Sequence, residues 1–286
     1  MLLSVDFEDW HQLVRRRVGD PRWERPGPAL ARQTEAVLAL LEELGLRCTF
    51  FVLGIAARAH PQLVRAIAAA GHEIACHGDR HEPVHAQGPE RFAQDLRAAR
   101  ATIAELTGCE PVGYRAPAFS ITRSAAPWAH ATLAAEGFAY DASEHDSFLL
   151  RERLGRNGSG PRRLEPSGLW EFPVAVCRLG GVALPVGGAS YWALAPRRAV
   201  LAGLARAGEH AGLYLHPQEL DPEPLRALPT AGLPAGARLH ARLRAAQRNS
   251  ARRRAPTVLR AIAGRFRLMT YGEAYEQLSK RAGAGA

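Results

Sequence analysis

The chain has 286 residues, of which 47% are hydrophobic and 23% are charged, a balance typical of a globular protein rather than a disordered or membrane-embedded one. The net charge is +9, but Lys280 is the one lysine among the basic residues, and no aromatic residues alternate with the arginine runs. Because nucleic-acid binders commonly combine basic residues with aromatic stacking platforms, this charge does not indicate nucleic-acid binding.

The cysteines at positions 48, 76, 109 and 177 are scattered and form no Cys-x-x-Cys pair. They predict buried reduced thiols rather than a disulfide framework or a zinc ribbon. Met1 is followed directly by a strand with acidic residues, and no apolar run approaches the roughly 20 residues of a membrane helix. The sequence therefore predicts a cytoplasmic protein, free or at the inner face of the membrane, without a transmembrane segment. It does not specify the oligomeric state.

In chain order, the first half alternates short apolar strands with helices. The predicted strands are Leu2 to Phe7, Cys48 to Leu53, His72 to Cys76, Val112 to Tyr114 and Phe138 to Tyr140. The predicted helices are Ala29 to Leu44, Pro61 to Ala70, Pro89 to Leu106 and Ser124 to Glu136, and a basic, proline-rich loop is predicted over Arg15 to Pro28. This alternation is typical of a parallel sheet covered by helices.

The second half does not continue this regular alternation of strands and helices. Leu169 to Pro185 predicts antiparallel strand pieces with a hairpin turn at Gly180-Gly181, and loops are predicted over Arg151 to Gly168 and Asp221 to Gly236. The remaining predicted elements are helices at Pro196 to Ala207, Leu239 to Arg254, Thr257 to Phe266 and Gly272 to Lys280, strands at Leu213 to Leu215 and Leu268 to Thr270, and a frayed tail at 281–286. We expect a single α/β domain over residues 1–286, built as a distorted, incomplete (β/α) barrel with a small antiparallel insertion.

Titratable side chains lie at or directly after the C-terminal ends of successive predicted strands. They are Asp6, Glu8, Asp9, His77, His81, Arg115, Asp141 and His216. Active sites of barrels built from alternating strands and helices lie at that face. His77 and His81 are four residues apart, and neutral imidazole is a ligand for Zn²⁺ and related divalent metals. An isolated pair of this kind also occurs as two surface histidines, so the coincidence at several strand ends is what indicates a metal-dependent active site.

The sequence resembles the NodB-homology polysaccharide deacetylases (carbohydrate esterase family 4), and within them the subgroup found beside exopolysaccharide and exosortase genes. The similarity covers nearly the whole chain and rests on ordered motifs. They are Ser4 to Trp10 (SVDFEDW), Thr49 to Gly54 (TFFVLG), His72 to His77 (HEIACH) with His81, Tyr114 to Ser120 (YRAPAFS), Tyr140 to Ser143 (YDAS), Trp170 to Pro173 (WEFP) and Tyr214 to Pro217 (YLHP). The resemblance implies the incomplete barrel of that family.

The resemblance also implies catalytic roles. Asp6 would be the general base that takes a proton from water, and Arg115 would hold its carboxylate charged and aimed. His216 would be the general acid that protonates the departing amine. Asp141 would orient that imidazole and raise its pKa, because a nearby anion favours the charged form.

His77, His81 and one carboxylate would hold a divalent metal, with Zn²⁺ as the expected ion. The common family motif has two adjacent aspartates, whereas here two residues separate Asp6 from Asp9. Strand alternation favours Glu8 as the carboxylate ligand, while a bulge at the strand end favours Asp9. Motif position gives Asp9 a slight preference, and both stay open.

Three aromatic residues are candidates for substrate binding. The backbone N–H of Phe119 would contact the oxyanion, although an extra residue between Pro117 and Phe119 departs from the usual motif. Trp170 and Tyr191 would line a sugar groove, since aromatic faces stack on sugar rings, and core packing is the alternative for both.

We therefore expect metal-dependent hydrolysis of N-acetyl groups of amino sugars in a polysaccharide, an oligosaccharide or a lipid-linked precursor. One alternative is a small-molecule amide hydrolase acting on a ureide or a formylated sugar lipid. The other is a catalytically silent, glycan-binding member of the family.

Overall fold

The computed structural model describes residues 1–122, 124–147, 160–226 and 234–284. The strands are β1 (Leu2–Phe7), β2 (Thr49–Val52), β3 (Glu73–Cys76), β4 (Gly113–Tyr114), β5 (Tyr140–Asp141), β6 (Arg162–Arg163), β7 (Trp170–Glu171), β8 (Val176–Leu179), β9 (Val182–Pro185) and β10 (Gly212–Leu215). The helices are α1 (Trp10–Arg17), α2 (Leu30–Glu43), α3 (Gly54–Ala59), α4 (Pro61–Ala69), α5 (Pro89–Thr107), α6 (Ala129–Ala135), α7 (Ala189–Trp192), α8 (Arg197–Ala207), α9 (Ala235–Arg252), α10 (Ala255–Ala263) and α11 (Tyr271–Ala284). Short 3-10 turns lie at Val84–Ala86, Pro117–Phe119 and Pro217–Glu219.

Eight of these strands form one curled sheet in the order β10-β1-β2-β3-β4-β5-β7-β6. All neighbours from β10 to β7 are parallel, and β6 pairs antiparallel with β7. Strands β8 and β9 form a separate antiparallel hairpin. The curled sheet with its small antiparallel addition confirms the predicted incomplete α/β barrel. Because β10 from the second half of the chain pairs with β1, both halves build the sheet.

The alternation of side chains along β1 divides the interior into two regions. Leu3, Val5 and Phe7 belong to the main apolar core, which packs beneath the surrounding helices. On the opposite face, Leu2 joins a smaller apolar cluster with residues of β2, β5 and α11. Asp6 shares that opposite face and is 3% exposed. Period-two alternation therefore directs this carboxylate into the inside of the curled sheet.

Several element predictions differ from the structure. The helix predicted over Ser124 to Glu136 is shorter (Ala129–Ala135), because Pro127 cannot continue a helix ladder. The loop predicted from Arg15 begins inside α1. The strand predicted over Leu268 to Thr270 is reduced to one bridge between Leu2 and Met269. Helix α11 continues through Ala284, where a frayed tail was predicted, and 285–286 lie outside the described residues.

The two loops predicted in the second half are described only in part, since 148–159 and 227–233 lie outside the described residues. Cys109 is exposed rather than buried, because it follows the left-handed residue Gly108 that ends α5 at the surface. Within the described ranges, no helix combines the length and apolar character needed to cross a bilayer.

Candidate active site

The register of the parallel strands brings the predicted site residues to one edge of the sheet. Asp6 and His216 lie at the same level, because β1 pairs with β10 through the residues directly before them. On the other side of β1, His77 and Arg115 come directly after paired residues of β3 and β4. The Arg115 N–H donates to the Cys76 carbonyl at 3.0 Å, which continues the ladder past the named strands. Residues distant in the chain therefore meet at one end of the barrel.

Glu8, His77 and His81 form a compact group of metal-ligand type. Each offers one ligand atom, and these atoms lie within 4.8 Å of one another. The Glu8 Oε2 atom is 2.9 Å from His81 Nε2 and 3.6 Å from His77 Nε2. Gly78, at φ +76°, and His81, at φ +55°, both adopt left-handed backbone between the strand end and the second imidazole. This turn brings the two imidazoles to the same carboxylate.

The surroundings of this group suit a divalent cation. His77 Nδ1 is 2.8 Å from the Arg115 carbonyl oxygen, so Nδ1 donates to that oxygen and Nε2 is the nitrogen that faces Glu8. Burial would raise the pKa of Glu8, but His81, His77 and His216 hold it well below its usual range. An ionised carboxylate with two imidazoles is a donor set that zinc and related ions accept.

The carboxylate of Asp9 is occupied elsewhere. Its Oδ1 accepts the N–H groups of His11 at 2.8 Å and Gln12 at 3.4 Å, which caps the N-terminus of α1. Its Oδ2 accepts the Gly27 N–H at 2.5 Å. Burial would raise the pKa of Asp9, and the bonds from His11 and Gly27 lower it. Of the two carboxylates left open by the sequence, the structure therefore brings Glu8 to the histidines and uses Asp9 as a helix cap.

Arg115 and Asp6 form a buried ion pair inside the sheet. The Nη1 atom of Arg115 donates to Asp6 Oδ1 at 2.7 Å, and Arg115 is fully buried. The other guanidinium contacts are to Ser4 Oγ, the Ala142 carbonyl and Tyr271 Oη, at 2.7, 3.1 and 2.8 Å. Burial would lower the pKa of Arg115, but Asp6 and Tyr271 raise it. The guanidinium is thus fixed in position beside the predicted base.

His216 has a different carboxylate partner from the one predicted. Its backbone N–H donates to Glu219 Oε2 at 2.9 Å, and its Nδ1 lies 3.4 Å from the same oxygen. Its Nε2 faces the metal-ligand group, 3.5 Å from Glu8 Oε1. Burial and Arg248 lower the pKa of His216, but Glu219 and Glu8 raise it above its usual value. Glu219 is completely buried and also accepts from the Ser190 hydroxyl.

Asp141 does not contact His216 in the described structure, and the carboxylate beside His216 is that of Glu219. Asp141 accepts from the Ser143 hydroxyl at 2.5 Å and lies 3.1 Å from His130 Nε2. With Glu171 these residues line a separate cavity of about 580 Å³. Burial, with the nearby charges of Asp141 and Glu144, raises the pKa of Glu171 well above its usual value. The reason for the difference is strand order, because β1, β2, β3 and β4 separate β5, which carries Asp141, from β10, which leads into His216.

Sequence reasoning missed Glu219, although a signal for it was present. Glu219 lies three residues after His216 in a His-Pro-Gln-Glu stretch. This is the spacing of a reciprocal helix cap, and the structure has that cap across the Pro217–Glu219 turn.

The three aromatic candidates have different surroundings. The Phe119 N–H donates to the Ala116 carbonyl at 3.0 Å within a tight turn, so it is not free to contact an oxyanion. The Phe119 ring lies 5.0 Å, between centroids, from both Tyr214 and His145. Trp170 stacks on Phe172 beside the smaller apolar cluster, and this favours its packing role. Tyr191, half-buried on α7, has its ring 6.4 Å from that of His145.

Two family models match this chain. Residues 26–133 match the model described as polysaccharide deacetylase, and residues 152–275 match a domain of unknown function, DUF3473. The first range contains His77, His81 and Arg115, and the second contains His216 and Glu219.

Curated relatives match over shorter stretches. A peptidoglycan deacetylase-like protein of Gibberella zeae is 36% identical over 118 residues, which are 40% of this chain and 33% of the relative. A chitooligosaccharide deacetylase of Sinorhizobium fredii is 44% identical over 70 residues, which are 24% of this chain and 33% of the relative. The chain thus spans about a third of the length of the curated relatives it matches.

One solved structure, of a polysaccharide deacetylase candidate from Mycobacterium smegmatis, is similar throughout. It has a TM-score of 0.62 at 23% identity and covers 98% of this chain and 91% of its own. At this identity the likeness establishes the fold. The deacetylase match lies over the part of the chain that contains His77, His81 and Arg115, so residues 26–133 are similar to polysaccharide deacetylases and the whole chain shares a fold with one of them.

Proposed function

We propose that this protein is a divalent-metal-dependent hydrolase that removes N-acetyl groups from amino sugars of a polysaccharide, an oligosaccharide or a lipid-linked precursor. The observation that carries the proposal is the meeting of three parts at one edge of the sheet. They are the Glu8–His77–His81 group, the Arg115-held carboxylate of Asp6 and the imidazole of His216. The cytoplasmic location expected from the sequence stays a prediction.

The donor set fits a divalent cation, and we propose Glu8, His77 and His81 as its ligands and Zn²⁺ as the ion. When bound there, the ion would supply Lewis-acid activation of water and of the acyl carbonyl. A capping carboxylate would have to give up its bonds to three backbone N–H groups to take part, so Asp9 is not proposed as a ligand.

The remaining chemistry belongs to side chains of this chain. Asp6 accepts the proton of the attacking water, and Arg115 keeps the Asp6 carboxylate in one orientation. His216 donates a proton from Nε2 to the departing amine, because Nδ1 faces Glu219 and Nε2 faces the site. Glu219 favours the protonated imidazole through its negative charge.

The test combines metal analysis with acetate release from an N-acetylated chitooligosaccharide. We expect one divalent ion per chain and acetate release that is abolished by a chelator and restored by Zn²⁺. His77→Ala should lose most of the metal and most of the activity, whereas His85→Ala, at an exposed histidine, should retain both. Unchanged acetate release in His77→Ala would overturn the metal-dependent mechanism.

The same assay separates the alternatives. A protein that binds the oligosaccharide and metal without releasing acetate would be a silent glycan-binding member. Release of product only from a ureide or a formylated sugar lipid would identify a small-molecule amide hydrolase.

A further inference from the structure

Helix α9 packs on the protein through its smallest apolar residues and exposes its largest ones. Ala241 and Ala245 are buried in a cluster with Trp10, Val14 and Leu225. Leu239 and Leu243, one helical turn apart, are 58% and 60% exposed. A surface helix normally turns its larger apolar side chains inward, so this arrangement leaves a leucine pair on the outer face.

The charge of the same helix is entirely positive. Residues 235–252 contain five arginines and no aspartate or glutamate. Arg238 and Arg242 are exposed beside the two leucines, and Arg17, at the exposed end of α1, lies near Arg244. Among the described residues, no carboxylate oxygen forms an ion pair with Arg17, Arg238 or Arg242.

This absence of partners contrasts with other helix surfaces. Arg97 on α5 pairs with Glu136 at 2.5 Å, and Arg260 on α10 pairs with Glu43 at 2.7 Å. The positive charges of Arg238 and Arg242 are thus available to an external partner. We call Arg238, Leu239, Arg242 and Leu243 the leucine–arginine stripe.

The stripe lies on an element that reaches the candidate active site. From the inner side of α9, Arg248 donates to the Ser190 hydroxyl at 2.8 Å and lies 3.7 Å from Glu219 Oε1. Helix α1, which packs against α9 through Trp10 and Val14, begins directly after Glu8 and Asp9. A partner on the stripe would therefore be held close to the catalytic end of the barrel.

We propose that the leucine–arginine stripe docks this protein on the surface of an anionic lipid bilayer. Arginine supplies attraction to anionic headgroups, and an exposed leucine pair enters the boundary between headgroups and acyl chains. A soluble polyanion, such as an acidic glycan or nucleic acid, would use the arginines alone and leave the leucines in water. The helix lies on the membrane and does not span it.

The test is co-sedimentation of the full chain with vesicles of phosphatidylcholine alone and with about one third phosphatidylglycerol. We expect binding to the anionic vesicles only, with loss of binding at high salt. The variant Arg238→Gln/Arg242→Gln should bind at least about tenfold more weakly, since each arginine contributes roughly fivefold. Leu239→Ser/Leu243→Ser should weaken binding by a similar factor.

Matched controls remove the same groups elsewhere. Arg197→Gln/Arg198→Gln removes two exposed charges from α8, and Leu179→Ser removes a leucine of 63% exposure from the β8–β9 hairpin. Both should bind as the wild type does. If Arg197→Gln/Arg198→Gln weakened vesicle binding equally, the overall positive charge of the protein would explain the binding and the leucine–arginine stripe would not. Unchanged binding by the leucine variant, or no binding to anionic vesicles by the wild type, would overturn the bilayer as the partner.

The vesicle assay does not depend on catalysis, so it tests the membrane proposal independently of the deacetylase proposal. Acetate release from a soluble oligosaccharide should be unchanged in the stripe variants, because none of the altered residues contacts the candidate site.

Discussion

Arg115 and Asp6 are 109 residues apart in the chain, yet they share a 2.7 Å hydrogen bond in which Arg115 is fully buried and Asp6 is 3% exposed. Removing one member of a deeply buried ion pair leaves the other charge buried without compensation, and this destabilises the fold. The same contact therefore connects the stability of the sheet to the orientation of the proposed base.

Replacing Arg115 should affect both properties. Arg115→Ala leaves the Asp6 carboxylate buried without a counter-ion, and we expect the free energy of unfolding to fall by about 3–5 kcal/mol. Acetate release should be lost as well. Urea denaturation measures the first effect. The control Arg97→Ala breaks an ion pair in which Arg97 is 67% exposed and should lower the free energy of unfolding far less. Equal stability of the two variants would contradict the assigned role of the buried pair.

The identity of the carboxylate ligand can be tested with two isosteric variants. Glu8→Gln should lose most of the bound metal, because the amide cannot supply the anionic ligand beside His77 and His81. Asp9→Asn should retain the metal, since the asparagine oxygen can still accept the bonds that cap α1 and only the bond from the Gly27 N–H is lost. Metal content after dialysis is the measurement. The reverse pattern would make Asp9 the ligand.

Glu219 should act as a positioning residue for His216. In Glu219→Gln the imidazole loses the adjacent negative charge, and we expect kcat for acetate release to fall by about 10–100-fold. KM and metal content should stay near the wild-type values. The control is Asp141→Asn, whose carboxyl lies against His130 and Ser143. A larger loss of kcat in the control than in Glu219→Gln would restore the original assignment of Asp141.

His145 should make the stability of the protein depend on pH. Burial lowers its pKa from 6.5 to about 4, and neither ring nitrogen has a hydrogen-bond partner among the described residues. The unfolded chain takes up this proton near the ordinary value, whereas the folded protein resists protonation until about pH 4. The contribution to stability is therefore present above pH 6.5 and is lost as the pH falls towards 4, by up to about 3 kcal/mol.

His145→Phe removes this titration and the two unpartnered nitrogens. Between pH 7 and pH 5, the urea concentration at the unfolding midpoint should therefore fall less for this variant than for the wild type. His145→Asn is the control for packing. It cannot be protonated either, so it should show the same weaker pH dependence at a different absolute stability. If the stability of both variants depended on pH as strongly as that of the wild type, His145 would not be the group responsible.

The strand and helix order could be predicted from the sequence because apolar runs and helix-ending glycines are local signals. The strand at Leu2–Phe7 and the helix at Pro89–Thr107 lie within a residue or so of their predicted limits. Contacts between distant segments were harder to predict from the sequence. The segment Leu268 to Thr270 keeps a single bridge, to Leu2 at the other end of the chain, and no local pattern encodes a pairing over that separation.

For the site, the sequence by itself determined the chemical inventory: carboxylates after the first strand, two histidines after the third, Arg115 after the fourth and a later histidine. The tertiary structure alone decided the partners. It brought Glu8 rather than Asp9 to the histidines, and Glu219 rather than Asp141 to His216. The physical reason is that residue type and strand position are encoded locally. A carboxylate's partner depends instead on how neighbouring strands are arranged and on which backbone N–H groups lie within hydrogen-bonding distance.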